Sequence, residues 1–294
     1  MKRKIISVNL SFILIALTCV AIYGIYYFQN KISYPWYFEK LNILKNHHYG
    51  NDKKIGIAII DSGFNENFSN YFNNEIIKFD ATGENNTADS TGRGTQMAML
   101  IGSNSNVKNS IYGINPNVRL YSIRVNNRIG LTTSEYLHNA LEYCKTIDIS
   151  ILNMSLGGTT YNSIIMNDIK ELKDNGVFVI CASGDKNTNF LYPADYEDSY
   201  CVIAQNKDGS VYELANTTSR INKIPIIVPG CDIDVFVTGD TCEKFLTTRS
   251  GSSFATAIFS GYLSLYLSKN DVSPLKFDEI LKTDIYKDEF VSLL

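Results

Sequence analysis

The segment Lys54-Ile55-Gly56-Ile57-Ala58-Ile59-Ile60-Asp61-Ser62-Gly63 runs apolar from Ile55 to Ile60 and then turns abruptly polar. An apolar run without polar alternation belongs to a strand covered on both faces, the mark of a parallel sheet flanked by helices. Leu120–Val125, Ile149–Met154, Val177–Ala182 and Cys201–Ala204 read the same way. Between them, Thr133–Lys145 and Ser163–Asn175 carry helical spacing, the second stopping at Asn175-Gly176. Strands alternating with helices predict an α/β fold with a mostly parallel central sheet.

Sites in such sheets gather where strands end at their carboxyl edge. The residues there are Asp61-Ser62-Gly63, Ser155-Leu156-Gly157-Gly158 and Ser183-Gly184-Asp185. Taken singly, each also fits an ordinary loop or cap. A fourth segment, Ser250-Gly251-Ser252-Ser253-Phe254-Ala255-Thr256-Ala257, leads into the apolar run Ile258–Leu267 and reads as the packed start of a buried helix. A serine in that first turn lies among unpaired backbone N–H groups at the positive end of the helix dipole, which suits a nucleophile. Small residues at such a place serve packing equally well.

The chain has 294 residues and a net charge of −3, long enough for one substantial core. Without Lys2, Arg3 and Lys4, 24 basic residues face 30 acidic ones, and no basic cluster remains to serve nucleic acid. None of the six cysteines forms a C-x-x-C pair, so no zinc site is expected, and no cofactor either. Cys144, Cys181 and Cys201 read as small core residues, while Cys231 and Cys242 flank a polar loop and are the one pair considered for a disulfide.

Met1–Lys4 is basic, and Ile5–Phe28 is apolar enough and long enough to cross a bilayer as a helix. Charge asymmetry then predicts residues 1–30 as a cytoplasmic tip and single-pass signal anchor in the plasma membrane. Residues 31–294 form one extracellular domain in this reading. A cleaved signal ending near Cys19-Val20-Ala21 is the alternative, weakened because Ile22–Phe28 continues the apolar run.

In this order, Asp61-Ser62-Gly63, Asn153-Met154-Ser155-Leu156-Gly157-Gly158, Tyr192-Pro193-Ala194 and Gly251-Ser252-Ser253-Phe254-Ala255 resemble the sequence blocks of the subtilisin-like serine proteases, the subtilases. The resemblance covers roughly Tyr34 to Lys282. It implies a three-layer α/β fold, with Asp61 and Ser253 at two catalytic positions. It also implies a peptide groove flanked by Ser155, Leu156 and Gly157 and by the loop Asn126-Asn127-Arg128. The departures from the family pattern carry more information. The family's catalytic histidine opens a His-Gly-Thr-His-Val-Ala-Gly block, and the counterpart here is Arg93-Gly94-Thr95-Gln96-Met97-Ala98-Met99. Asp185 stands at the position of the oxyanion-hole asparagine. Only Gln29 to about Ile32 separates the span from the domain, so no prodomain is expected.

A base that accepts the serine proton needs a pKa near the working pH. Arginine is a permanent cation and is expected to pair with Asp61 instead. His47, His48 and His138 carry no motif that would bring them to Ser253. An ionised Asp185 accepts hydrogen bonds and repels a developing oxyanion. Triad losses slow subtilisin itself by about 10⁴–10⁶-fold. The resemblance with these departures therefore implies a membrane-anchored pseudoprotease whose groove binds a peptide or protein partner, for instance a related active protease or its substrate. An active endopeptidase with a non-standard base and a vestigial scaffold are the alternatives.

Overall fold

The computed structural model describes residues 12, 15–20, 34–46, 54–104, 111–185, 191–217, 219, 221, 223–238 and 244–282. The chain divides into two units, Met1–Tyr34 and Pro35–Leu294. In the first, residues 15–20 are helical, and Phe12, Ile15, Leu17 and Val20 are exposed. Among the described residues no helix is long and apolar enough to cross a membrane. Most of the expected span Ile5–Phe28 lies outside the described residues, as do His47, His48 and Cys242.

The second unit is built on seven parallel strands: β1 Gly56–Asp61, β2 Ile77–Asp80, β3 Arg119–Arg124, β4 Ile151–Met154, β5 Phe178–Ala182, β6 Tyr200–Gln205 and β7 Ile226–Pro229. Their spatial order is β2-β3-β1-β4-β5-β6-β7. All six residues of β1 are buried, as its unbroken apolar run requires. β2 went unread in the sequence because Ile-Lys-Phe-Asp is short, mixed and half exposed at the sheet edge. The antiparallel hairpin β8 Ile233–Thr238 and β9 Lys244–Arg249 was likewise not expected. Register aligns the strand ends: Ile60 pairs with Met154 and Met154 with Cys181, so Asp61 and Ser155 emerge level at one edge.

Seven α-helices accompany these strands among the described residues of the second unit: α1 Trp36–Lys40, α2 Ile43–Asn46, α3 Arg93–Gly102, α4 Ser134–Cys144, α5 Ser163–Asp174, α6 Ser252–Leu267 and α7 Pro274–Leu281. The two faces of β1 enter two cores, because successive strand side chains point to opposite sides. Ile57 and Ile59 pack with Met97 and Leu100 of α3 and with Phe259 and Leu263 of α6. Ala58 and Ile60 pack with Leu137 and Leu141 of α4 and with Ile165 and Ile169 of α5. This gives three layers, with α3 and α6 sharing one face. Every residue of α6 is buried except Ser253 and Tyr266. A helix enclosed so fully must satisfy its own hydroxyls: Thr256 Oγ1 donates to Ser252 O, and Ser260 Oγ to Thr256 O.

The α3–β1 junction is tight enough to exclude any side chain. A Cβ on Gly94 would lie 2.2 Å from the Gly63 carbonyl oxygen, a backbone atom that cannot swing aside. Gly94→Ala should therefore destabilise the chain by about 1–3 kcal/mol, the usual range for overpacking. Gly158→Ala, which meets nothing within 4 Å, should change stability by less than about 0.5 kcal/mol. Urea unfolding of the full chain distinguishes the two, and equal effects would show that the junction yields.

Candidate active site

Asp61 ends β1 with its side chain only 1% exposed. Its Oδ1 accepts the Ser62 N–H at 2.8 Å and the Arg93 Nε–H at 2.9 Å. Burial pushes this carboxyl above the ordinary aspartate range, while the Arg93 cation, its hydrogen bond and the Ser62 N–H pull it back. The other oxygen, Oδ2, is buried without a partner among the described residues. Arg93 is placed by the start of α3. Gly92 precedes it with φ +81°, a left-handed conformation that glycine adopts without strain. Asp89 organises that turn. Its carboxylate accepts from Thr91 N and Gly92 N, from Thr95 N and Oγ1, and from the Ser62 hydroxyl. Ser62 Oγ in turn accepts from Gly94 N, so one hydrogen-bonded cluster fastens the helix start to the end of β1.

Ser253 lies in the first turn of α6 and is the one half-exposed residue there. Its Oγ–H donates to the Ser155 carbonyl at 3.2 Å, and Ser155 Oγ–H donates to the Ser253 carbonyl at 3.1 Å. This reciprocal clip joins β4 to α6 and, because Ser155 emerges level with Asp61, holds Ser253 at the same carboxyl edge of the sheet. A carbonyl accepts the hydroxyl proton but does not remove it. Asp185 follows β5 and reaches the same helix start, where Oδ1 accepts the Ser252 N–H at 2.6 Å. A carboxylate capping a helix N-terminus is favourable, because it takes an orphan donor and opposes the dipole. The fit demands glycine at 251, where a Cβ would lie 2.5 Å from Asp185 Oδ2 and φ is +150°.

Leu156 and Gly157 line a cleft of about 410 Å³ together with Arg93, Thr132, Tyr192 and Tyr196. Two of the expected groove residues are placed differently. Asn126 is buried and donates Nδ2–H to Gly130 O, and Gly130 and Thr132 line this cleft in its stead. Ser155 is only 1% exposed and serves the clip to α6 rather than the open wall. The turn Tyr192–Tyr196 adjoins this wall, since Tyr192 and Gly158 exchange backbone hydrogen bonds at 2.8 and 2.9 Å, and it holds a cis Tyr192–Pro193 bond. Lys223 supports that turn from beneath, donating to the Tyr196 carbonyl and to Ser199 Oγ, and burial lowers its pKa to about 8.

His138 offers Ser253 no help. It sits on α4, in the layer across the sheet from α6, with Nδ1 2.7 Å from Asp168 Oδ2. His138, Glu142 and Asp168 could group around a cation, but the Lys145 ammonium already bonds Glu142 and Asp168 at 2.6 and 2.9 Å. Cys231 is a buried free thiol, and its considered partner Cys242 lies outside the described residues. Two organising residues went unread in the sequence. Asp89 carried a signal in Asp89-Ser90-Thr91-Gly92, a turn-and-cap pattern. Arg124, only 1% exposed, bonds Glu84 Oε2 and the Asn86 carbonyl at the end of β3 and carried no local signal.

Removing Arg93 leaves Asp61 buried without its cation. Arg93→Ala should destabilise the chain by about 1–3 kcal/mol, below the range for fully buried pairs because the guanidinium is 40% exposed. Without that cation the Asp61 pKa rises further above its unfolded value. The folded state then binds a proton more readily than the unfolded state, so the loss is full at neutral pH and shrinks on acidification as the carboxyl protonates. Asp61→Asn in the same background should recover most of it. Thermal unfolding of the variants between neutral and acidic pH measures both effects, and a pH-independent deficit would contradict the ion-pair account.

With this geometry in place, comparison with known proteins assigns the family. The model of the subtilase family matches residues 52–285. Subtilisin from Bacillus pumilus is 25% identical over 244 residues, covering 81% of this chain and 86% of that protein. Subtilisin E of Bacillus subtilis (strain 168) is 24% identical over 244 residues, and the match spans 62% of its length. Alkaline elastase YaB of Bacillus sp. (strain YaB) is 27% identical over 220 residues, 74% of this chain and 55% of that protein. A parallel sheet whose carboxyl edge carries Asp61, Ser155 and Asp185, faced by Ser253 on a buried helix, belongs in this chain to a member of the subtilase family.

Proposed function

We propose that this subtilase is a pseudoprotease: its groove binds peptide or protein partners and does not cleave them. The observation that carries this reading is the Arg93 Nε–Asp61 Oδ1 bond at 2.9 Å. Arg93 stands at the motif position of the family's base, and a permanent cation cannot take the Ser253 proton. Three further features support it. Ser253 Oγ–H is directed to a carbonyl, His138 is on the other side of the sheet, and Asp185 acts as a helix cap. In that last role it offers no proton to a developing oxyanion, a donation worth about 3–4 kcal/mol when subtilisin's own donor is removed. The cleft beside Leu156 and Gly157 needs none of these groups in order to hold an extended chain.

The same proposal places the domain outside the cell, tethered by residues 5–28, because Lys2, Arg3 and Lys4 precede an apolar run of bilayer length. Intact cells treated with a non-permeant protease should lose the domain and retain a protected N-terminal fragment. A mature chain starting near Ile22 would show a cleaved signal instead.

A fluorophosphonate probe tests the catalytic half. The full chain should show no labelling at Ser253, and labelling abolished by Ser253→Ala would overturn the pseudoprotease reading. Arg93→His restores a base beside Asp61 and should give weak labelling. Arg93→His with Asp185→Asn should give on the order of a hundredfold more, the scale of one oxyanion donor. Silence of both folded variants would mean that more than these two side chains separates the groove from catalysis.

A further inference from the structure

Arg93 does more at this site than displace a base. Its Nε–H alone is spent on Asp61, and its two terminal NH₂ groups have no partner among the described residues. The side chain is 40% exposed and forms part of the cleft wall. Among the described residues it is also the one charged group lining that cleft. The rest is Gly130, Thr132, Leu156, Tyr192 and similar uncharged groups. Its position is preset, since Asp61 holds the guanidinium from below and Asp89 fixes the helix start that carries it. A fork of parallel N–H donors held still in a partly desolvated cleft matches the two oxygens of a carboxylate better than a single carbonyl. The competing anion site is closed, because Asp185 already takes the Ser252 N–H at the start of α6.

We infer that the cleft selects peptides presenting a carboxylate to the terminal N–H groups of Arg93, the peptide body lying along Leu156, Gly157 and Tyr192. This rests on the groove-binding reading above and adds the ligand's chemical class to it. The carboxylate has two sources, a free C-terminus or an Asp or Glu side chain. Either leaves the Asp61 bond intact, because different nitrogens are used.

Affinity selection on the full chain, at physiological salt, separates the outcomes. Three pools of random hexapeptides free of other acidic residues are used: one with a free C-terminal carboxylate, one with a C-terminal amide, and one amidated with a single fixed Glu. Retention of the first or the third, on the order of tenfold or more above the plain amide pool, is expected, as for one charge-assisted pair. The favoured pool identifies the source. Arg93→Lys keeps a cation beside Asp61 but loses the fork, and should lower that preference several-fold. Arg93→Gln should abolish it; should that variant not fold, Asp61→Asn with Arg93→Gln removes the unpaired buried carboxylate and takes its place. Equal retention of all three pools would overturn the carboxylate proposal while leaving groove binding intact. Retention of none would overturn both. A preference that survives in the folded glutamine variant would remove Arg93 from the recognition.

Discussion

A carboxylate sealed at the end of a parallel strand has to be met by charge or by donors, and Asp61 is such a group. Among the described residues, its own strand end answers it with the Ser62 N–H alone. The answer comes from Arg93, the first residue of α3, and it works only if that helix starts within bonding distance of β1. Much of the local architecture follows from this requirement. Gly94 lets the helix backbone lie against Gly63, and Asp89 ties the helix start to the Ser62 hydroxyl. Buried charge pairs seldom add net stability, because desolvation offsets much of their attraction, yet losing one partner is expensive. The pair is therefore better understood as fixing position than as strengthening the fold.

The same economy of charge governs the other helix start. α6 is buried along nearly its whole length, so its N-terminal donors cannot all turn to water. Asp185 caps one of them, and Gly251 gives the carboxylate room. A group in this role accepts hydrogen bonds where acyl-transfer chemistry requires donation. Arg93 and Asp185 thus resemble each other: each makes a static electrostatic contact at the start of a helix. The groove beside them keeps its walls, its backbone edges and a cation with donors to spare. That composition is what the proposed binding role rests on.

What the sequence by itself determined is local and periodic. Unbroken apolar runs placed five strands of the parallel sheet, since a run such as Ile55–Ile60 has no stable position except between two covering layers. The small-residue block before Ile258 identified the buried helix, and the order of the four blocks pointed to the subtilase family, of which the chain is a member. The expected pairing of Arg93 with Asp61 was equally legible, because it follows from a permanent cation standing at a motif position near a buried carboxylate.

Tertiary structure decided the rest, for a common reason: these features depend on partners distant in the chain. β2 and the β8–β9 hairpin carry weak periodicity and owe their existence to neighbours, as edge and surface strands do. Asn126 was expected on the groove and is buried by a hydrogen bond to Gly130, while Ser155 became a clip because Ser253, 98 residues away, meets it. Asp185 could be named from its position, but that its carboxylate caps α6 depends on the distance between two loops. Asp89 and the buried Arg124 are the clearest case. Their importance comes from the number of groups converging on them, and convergence in space leaves no fixed spacing in a sequence.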